Sequence, residues 1–421
     1  MRQSASSSLH LPSLAMFLIS GLGLLLYLSA AVGLVFLALF ALIMGASPDQ
    51  QVLPMLSLAW ITGFFGMLLL PSLGLSLSRL LNLRFSLHLA FPLVRKGGWL
   101  MLFWLLVIGL GAWVSRWDGA KWLVLPLLQV LAAVIPLWWL LSIGQRAIPQ
   151  VLSAERQWGL VSFGLVLGMP LVIVVEVVML GVVGVVALVW FSAQPELVSQ
   201  LTAAMERLSE FSPQSLQQSE LILDVLRPLL VQPAVVFVMM IVTVVIIPMV
   251  EELLKPAALL LFIRRELTPA AGFAGGLLCG ATFALVETLG SLATPAGDSW
   301  SLLVLGRFGT GMLHTTTTAL VGWALASVRE QGGIWRLIQV YWIAVAFHGL
   351  WNVFGLLVGF VNILPSVAAE SSFLSLALLL GRIAPLVLGF LMLVLLILLI
   401  GSSRKVAIQR ALAESKQEIG L

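Results

Sequence analysis

Charge is what this sequence has least of. Of 421 residues only 10% are Asp, Glu, Lys or Arg, while 61% are hydrophobic; soluble domains carry about a quarter charged residues. Too little charge remains to cover a globular surface, so the composition excludes an ordinary soluble domain and points to lipid. Cysteine is nearly missing as well. Cys279 stands alone inside an apolar stretch, so neither an intrachain disulfide nor a cysteine metal site can be built.

What is there in abundance is the long apolar run. Ten are visible, roughly at 15–45, 53–78, 98–115, 121–143, 159–192, 230–263, 270–294, 300–327, 336–363 and 372–401. Each is long enough to cross a hydrocarbon core about 30 Å thick. The first, with only Arg2 before it, far exceeds a signal-peptide core of about 7–15 residues and ends at no small-x-small cleavage site; it reads as a retained span. The expected fold is therefore all-α, a polytopic integral membrane helix bundle of about ten spans with cytoplasmic N- and C-termini. In that arrangement the inner loops and tails hold 15 of the 22 Lys and Arg, from Arg2, Arg79, Arg84, Arg95 and Lys96 to Lys416. The outer loops hold Arg116, Lys121, Arg207 and Arg227, and the spans hold Lys255, Arg307 and Arg382. This bias obeys the positive-inside rule. The net charge of +4 thus reflects orientation and gives no evidence of nucleic-acid binding.

The expected organisation is a four-span region at 1–158, a fifth span at 159–191, an external helical cap at 192–229, a polar-lined bundle at 230–363, a last span at 364–401 and a cytoplasmic tail at 402–421. In the cap, Leu197, Leu201, Met205 and Leu208 recur at helical spacing and Ser212-Pro213 opens a second stretch. The tail, "RKVAIQRALAESKQEIGL", reads as an amphipathic helix on the membrane surface. No repeat relates the two halves, which weighs against an inverted-repeat transporter.

Ionisable groups inside the spans concentrate in the second half: Glu251, Glu252, Lys255, Glu287, Arg307, His314, His348 and Arg382, with Asn352 beside them. Each such group costs at least about 2.5–3.5 kcal/mol at a helix centre, so it is a functional candidate by default. In "VVIIPMVEELLKPAALLLF" both Glu251 and Glu252 fall one helical turn before Lys255. Pro248 and Pro256 break the backbone ladder on either side, which lipid tolerates only where protein or trapped water meets the freed groups. In the seventh run Gly272, Gly276, Gly280 and Ala284 form a stripe for close helix packing that aims Glu287 into an interhelical seam. Arg307 and His314 share a face of the eighth run, and His348 and Asn352 lie one turn apart on the ninth. Span boundaries set Glu251 and Glu287 roughly 14 Å apart in depth at about 1.5 Å per residue, too far for direct contact.

Together these groups suffice for acid–base hydrolysis: a glutamate to take a proton from water, a histidine or lysine to return one, an asparagine or histidine N–H for an oxyanion. The plain structural alternatives are an ion-pair cluster fixing helix register at Glu251, Glu252 and Lys255, an interhelical hydrogen bond at Glu287, and satisfied buried histidines at 314 and 348.

Glu251-Glu252-x-x-Lys255, Phe283-x-x-x-Glu287, a lone His314 and His348-x-x-x-Asn352, in this order on successive spans, resemble the PrsW family of intramembrane proteases. That family looks related to the CAAX prenyl-proteases and bacteriocin-processing membrane enzymes. The resemblance covers about 230–363 and departs from the family pattern at Ser291 and Asn352. It implies cleavage of membrane-anchored proteins, anti-sigma factors being the known kind of substrate, in a bacterial-type plasma membrane. By position it makes Glu251 and Glu252 the essential carboxylates and Glu287, His314 and His348 co-catalytic; Lys255 and Asn352 complete the candidate catalytic set on their own chemistry, as proton donor and oxyanion donor.

Two chemistries stay open at this point. One is a glutamate protease. The other is metal-dependent, zinc being the candidate, with His314, His348 and Glu287 as ligands. The HExxH signature of zincins, a GxSG serine motif and an aspartate pair are all missing from the sequence, Asp298 falling in a short loop. The alternative from another class is a proton-coupled transporter with a Glu/His relay.

Overall fold

The computed structural model describes residues 10–83, 97–117, 121–212, 219–260, 267–293, 299–363 and 372–419. Arg2, Arg84, Arg95, Lys96, Pro213, Arg264, Arg265 and Asp298 from the sequence reading lie outside them. Every regular element among the described residues is helical: α1 (Leu11–Ile43), α2 (Leu53–Leu80), α3 (Gly98–Val114), α4 (Lys121–Gln145), α5 (Ala154–Phe163), α6 (Met169–Ser192), α7 (Pro195–Ser209), α8 (Ser219–Leu230), α9 (Pro233–Met240), α10 (Ile247–Leu254), α11 (Ala257–Leu260), α12 (Pro269–Leu292), α13 (Trp300–Gln331), α14 (Ile334–Ile363) and α15 (Ser372–Ile419). Wider π-helical turns occupy Pro48–Val52, Gly164–Gly168 and Ile241–Ile246.

Eight segments among the described residues are long and apolar enough to cross a membrane, and they coincide with eight of the ten predicted runs. The other two runs are helical as well. At 17 residues α3 spans about 26 Å at 1.5 Å per residue, and α13 is diluted by Arg307, His314 and its threonines.

The chain divides into two compact units, Met1–Pro170 with Glu252–Phe347 and Pro385–Leu421, and Leu171–Glu251 with His348–Ala384. The first is built around α12, 89% of whose most apolar stretch is buried, against 6% for α1. α12 is therefore the interior helix and α1 a lipid-facing one. Thr268 starts α12 by accepting from the Ala271 N–H at 3.2 Å, with Pro269 in the first turn, where no N–H is needed. The glycine stripe does what its spacing predicts. A Cβ added at Gly272, Gly276 or Gly280 would land on the carbonyl oxygens of Gly322, Thr318 and His314 respectively. Only hydrogen at these positions lets the α12 and α13 backbones touch.

Around this pair, α3 and α4 contribute Trp104, Val107, Leu128, Ile135 and their neighbours to a core shared with Leu292, Trp300 and Val304. The buried indoles are satisfied: Trp104 donates to the Ala132 carbonyl at 2.9 Å and Trp300 to that of Ile108 at 3.1 Å. Arg79 at the end of α2 pairs with Glu155 in the first turn of α5 at 2.7 Å. The predicted surface helix at the C-terminus is instead continuous with the last span, since α15 runs unbroken to Ile419. Its far end packs Val406 inward, and Gln409 accepts from the Trp323 indole at 3.3 Å.

In the second unit α7 and α8 pack through Leu197, Ala204 and Leu229, with Phe191, Ala234 and Val235 against them. These amphipathic helices are the segment expected as a helical cap. Here α9 leads through the Ile241–Ile246 π-turn into α10.

Both π-turns within the long spans leave a carbonyl that a neighbouring helix answers. The Tyr27 hydroxyl donates to Leu165 O at 2.7 Å, and the Asn352 amide donates to Thr243 O at 2.7 Å.

Candidate active site

In the first unit five ionisable side chains form a continuous chain, buried at Glu252, Lys255 and His314 and partly exposed at Glu287 and Arg307. The Lys255 ammonium lies 2.8 Å from Glu252 Oε1 and 2.7 Å from His314 Nδ1. His314 Nε2 lies 2.8 Å from Glu287 Oε2. Arg307 closes the chain by gripping both oxygens of Glu287, at 3.0 and 2.8 Å. The Phe283 ring completes the wall: the ammonium sits 4.5 Å from its centroid, and the His314 ring meets it edge-on at 5.1 Å.

The fold produces this chain from three local features. Pro256 ends α10 and separates it from α11, so Lys255 leaves the helix register at the break. Gly280 brings the backbone of His314 against α12, while Glu287, two turns on along α12, faces the same seam. Arg307 and His314, two turns apart on α13, then reach one carboxylate from two heights. Glu252, the neighbour of Glu251 in sequence, is thus linked to Glu287 through Lys255 and His314.

The network assigns the histidine tautomer. A lysine ammonium can only donate, so His314 Nδ1 is the acceptor and Nε2 carries the proton shared with Glu287. A neutral imidazole results, with its lone pair on Nδ1. A carboxylate behind the opposite N–H is the arrangement that orients histidine for a cation.

In the second unit the Glu251 carboxylate and the His348 ring, both buried, lie 3.9 Å apart. One turn beyond His348, Asn352 holds the π-turn through Thr243 O. Close packing of α14 on this turn depends on Gly349, where a Cβ would collide with Val244 O. Glu251 and Glu252 are consecutive residues, so one peptide bond joins this pair to the chain of the first unit.

Residues 157–380, just over half of the chain, match the family described as PrsW family intramembrane metalloprotease. The chain belongs to this family. It is a peptide hydrolase of the membrane, acting on membrane-embedded substrate. No curated protein and no solved structure matches the chain. The match extends well upstream of the 230–363 stretch that carries the motifs.

A PrsW metalloprotease must offer ligands to a metal ion. With bonds of about 2.0–2.2 Å, two ligand atoms of one tetrahedral ion lie about 3.3–3.6 Å apart, so Glu251 and His348 need close by only a few tenths of an ångström. A carboxylate and an imidazole are both donors that hydrolytic zinc takes. The residues fit.

Sequence reasoning named Glu251, Glu252, Lys255, Glu287, His314, His348 and Asn352, and each enters one of the two clusters. It assigned Arg307 no partner and gave Phe283 no contact. The signals were the seven-residue spacing of Arg307 to His314, and Phe283 one turn before Glu287. Thr243, whose carbonyl Asn352 holds, had no signal in sequence.

Proposed function

We propose that this PrsW-family protein cleaves single-span, anti-sigma-factor-like proteins within a bacterial-type plasma membrane, using a divalent metal, zinc, held by Glu251 and His348. The observation that carries this reading is the buried Glu251–His348 pair at 3.9 Å in a chain of this family. Glu287 is already engaged by Arg307 and His314, and His314 is held at both nitrogens, so Glu251 beside His348 takes their place in the expected ligand set. Ten spans with both termini cytoplasmic belong to the same proposal. The Arg79–Glu155 pair supports it, because it joins the ends of two helices that both fall on the inner side.

The ion, when bound, would polarise the scissile carbonyl and acidify a water. Glu252 receives the water proton on its carboxylate, which Lys255 steadies from Oε1. The water oxygen joins the carbonyl carbon, the C–N bond breaks, and the proton passes to the departing amine nitrogen. Glu287 keeps the His314 Nε2 protonated and its lone pair on Nδ1, and Arg307 keeps Glu287 in place. Asn352 holds the π-turn that precedes Glu251.

The test compares membrane proteomes of cells expressing the wild type and Glu251→Gln/Glu252→Gln at equal membrane accumulation, together with zinc content of purified wild type and His348→Ala. Shortened single-span proteins are expected with the wild type alone, and bound zinc is expected to fall in His348→Ala. Indistinguishable proteomes would overturn the substrate class, and equal zinc in both proteins would overturn the ligand set.

A further inference from the structure

The first unit holds a second polar feature, remote in sequence from the residues of the candidate active site. A cavity of about 430 Å³ is lined by Ile143, Arg146 and Ala147 at the end of α4 and by Ile400, Ser403 and Arg404 on α15. Both helices change character at this level. α4 runs apolar through Ile143 and meets Arg146 just past its last turn; α15 runs apolar through Ile400 and meets Arg404 one turn later. The register between them is fixed, because the buried Ser403 hydroxyl donates to Gly144 O at 2.7 Å. Packing reinforces it: a Cβ at Gly144 would press on Leu399 and Leu277.

Arg146 and Arg404 are both exposed, and neither has an ion-pair partner among the described residues. These two guanidinium groups, with isoleucines on the apolar side, lie where two spans leave the hydrocarbon. At that depth a bilayer presents its phosphates. Arginine recognises phosphate through paired N–H donors, and basic pockets between membrane helices take anionic headgroups. We propose that this cavity binds the headgroup phosphate of an anionic phospholipid, with the acyl chains lying along Ile143 and Ile400. Lipid binding here would brace α15 against α4.

The full-length protein, purified in a neutral detergent, is titrated with phosphatidylglycerol, with phosphatidylcholine or with inorganic phosphate, and its thermal unfolding midpoint is followed. A rise of several degrees is expected with phosphatidylglycerol, with little from the other two. Arg146→Gln/Arg404→Gln should lose most of that rise. Lys405→Gln/Lys416→Gln, which removes equal charge from the same helix outside the cavity, should keep it. An equal rise with inorganic phosphate would replace the lipid by a free phosphate as the ligand. No rise, or its loss in both double variants, would overturn the site. Neither variant touches the proposed hydrolytic residues, so cleavage activity checks folding independently.

Discussion

His314 is held between Lys255 and Glu287, its Nδ1 2.7 Å from the ammonium and its Nε2 2.8 Å from the carboxylate. An imidazole with both nitrogens committed cannot rotate, so its tautomer and orientation are set before any substrate arrives. The cost is that the lysine and Glu252 share a site with no exposure of either side chain, where one charge is tolerable only with the other.

Removing one member should therefore hurt more than removing both. Lys255→Met takes the ammonium from a buried carboxylate, a change that costs about 3–5 kcal/mol when one half of a buried pair is lost. Glu252→Gln/Lys255→Met should recover most of the lost thermal stability in detergent, yet remain inactive. If the double variant unfolds as readily as the single one, the pair does not carry the coupling assigned to it.

The helices and the polar residues were legible in the sequence because lipid enforces both. A long apolar run has one backbone solution, and an ionisable group inside it needs a partner. Which partner it finds was not legible. Spacing set Glu251 and Glu252 equally near Lys255, and the choice of Glu252 follows from the Pro256 break, where helix periodicity no longer applies. The π-turns were hidden for the same reason. Nothing in "FVMMIVTVVIIP" distinguishes a widened turn from an ordinary one, and Asn352 reveals it only by pointing at Thr243 O. Nor could apolar runs alone distinguish α12, which is interior, from α1, which faces lipid.

Arg307 should prove a positioning residue for Glu287 rather than a mere counter-ion. One guanidinium N–H donates to Oε1 at 3.0 Å and a second nitrogen lies 2.8 Å from Oε2, so the planar group spans both oxygens as a lysine cannot. Arg307→Lys keeps the charge and should lower turnover about tenfold, or about 1.4 kcal/mol in barrier, with accumulation and KM little changed. Arg307→Met should fall further. Equal activity of the lysine variant and the wild type would reduce the interaction to charge alone.

Asn352 answers the carbonyl that the π-turn exposes. Asn352→Leu, similar in size, should leave Thr243 O unmet at a cost of about 1–3 kcal/mol, seen as a lower unfolding midpoint. Because the turn leads directly into Glu251, activity should fall by more than the loss of folded protein explains. A variant with a normal midpoint and normal turnover would show that water serves the carbonyl equally well.

The seam between α12 and α13 offers the sharpest test that the fold sets the site. Gly276→Ala places a methyl group on the Thr318 carbonyl, so the helices must part or bend. Overpacking of this kind costs about 1–3 kcal/mol. Glu287 rides on α12, while His314 and Arg307 ride on α13. Separation of the helices therefore stretches the His314–Glu287 hydrogen bond and the Arg307–Glu287 pair behind it. Gly290→Ala is the control, since its Cβ would meet nothing within 4 Å on the same helix and replaces a poor helix former with a good one. The expected outcome is a lower unfolding midpoint and a disproportionate loss of cleavage for Gly276→Ala, with Gly290→Ala at or slightly above the wild type in both. Full activity in Gly276→Ala would mean that the imidazole tolerates a wider seam, and that the close approach of α12 and α13 serves packing alone.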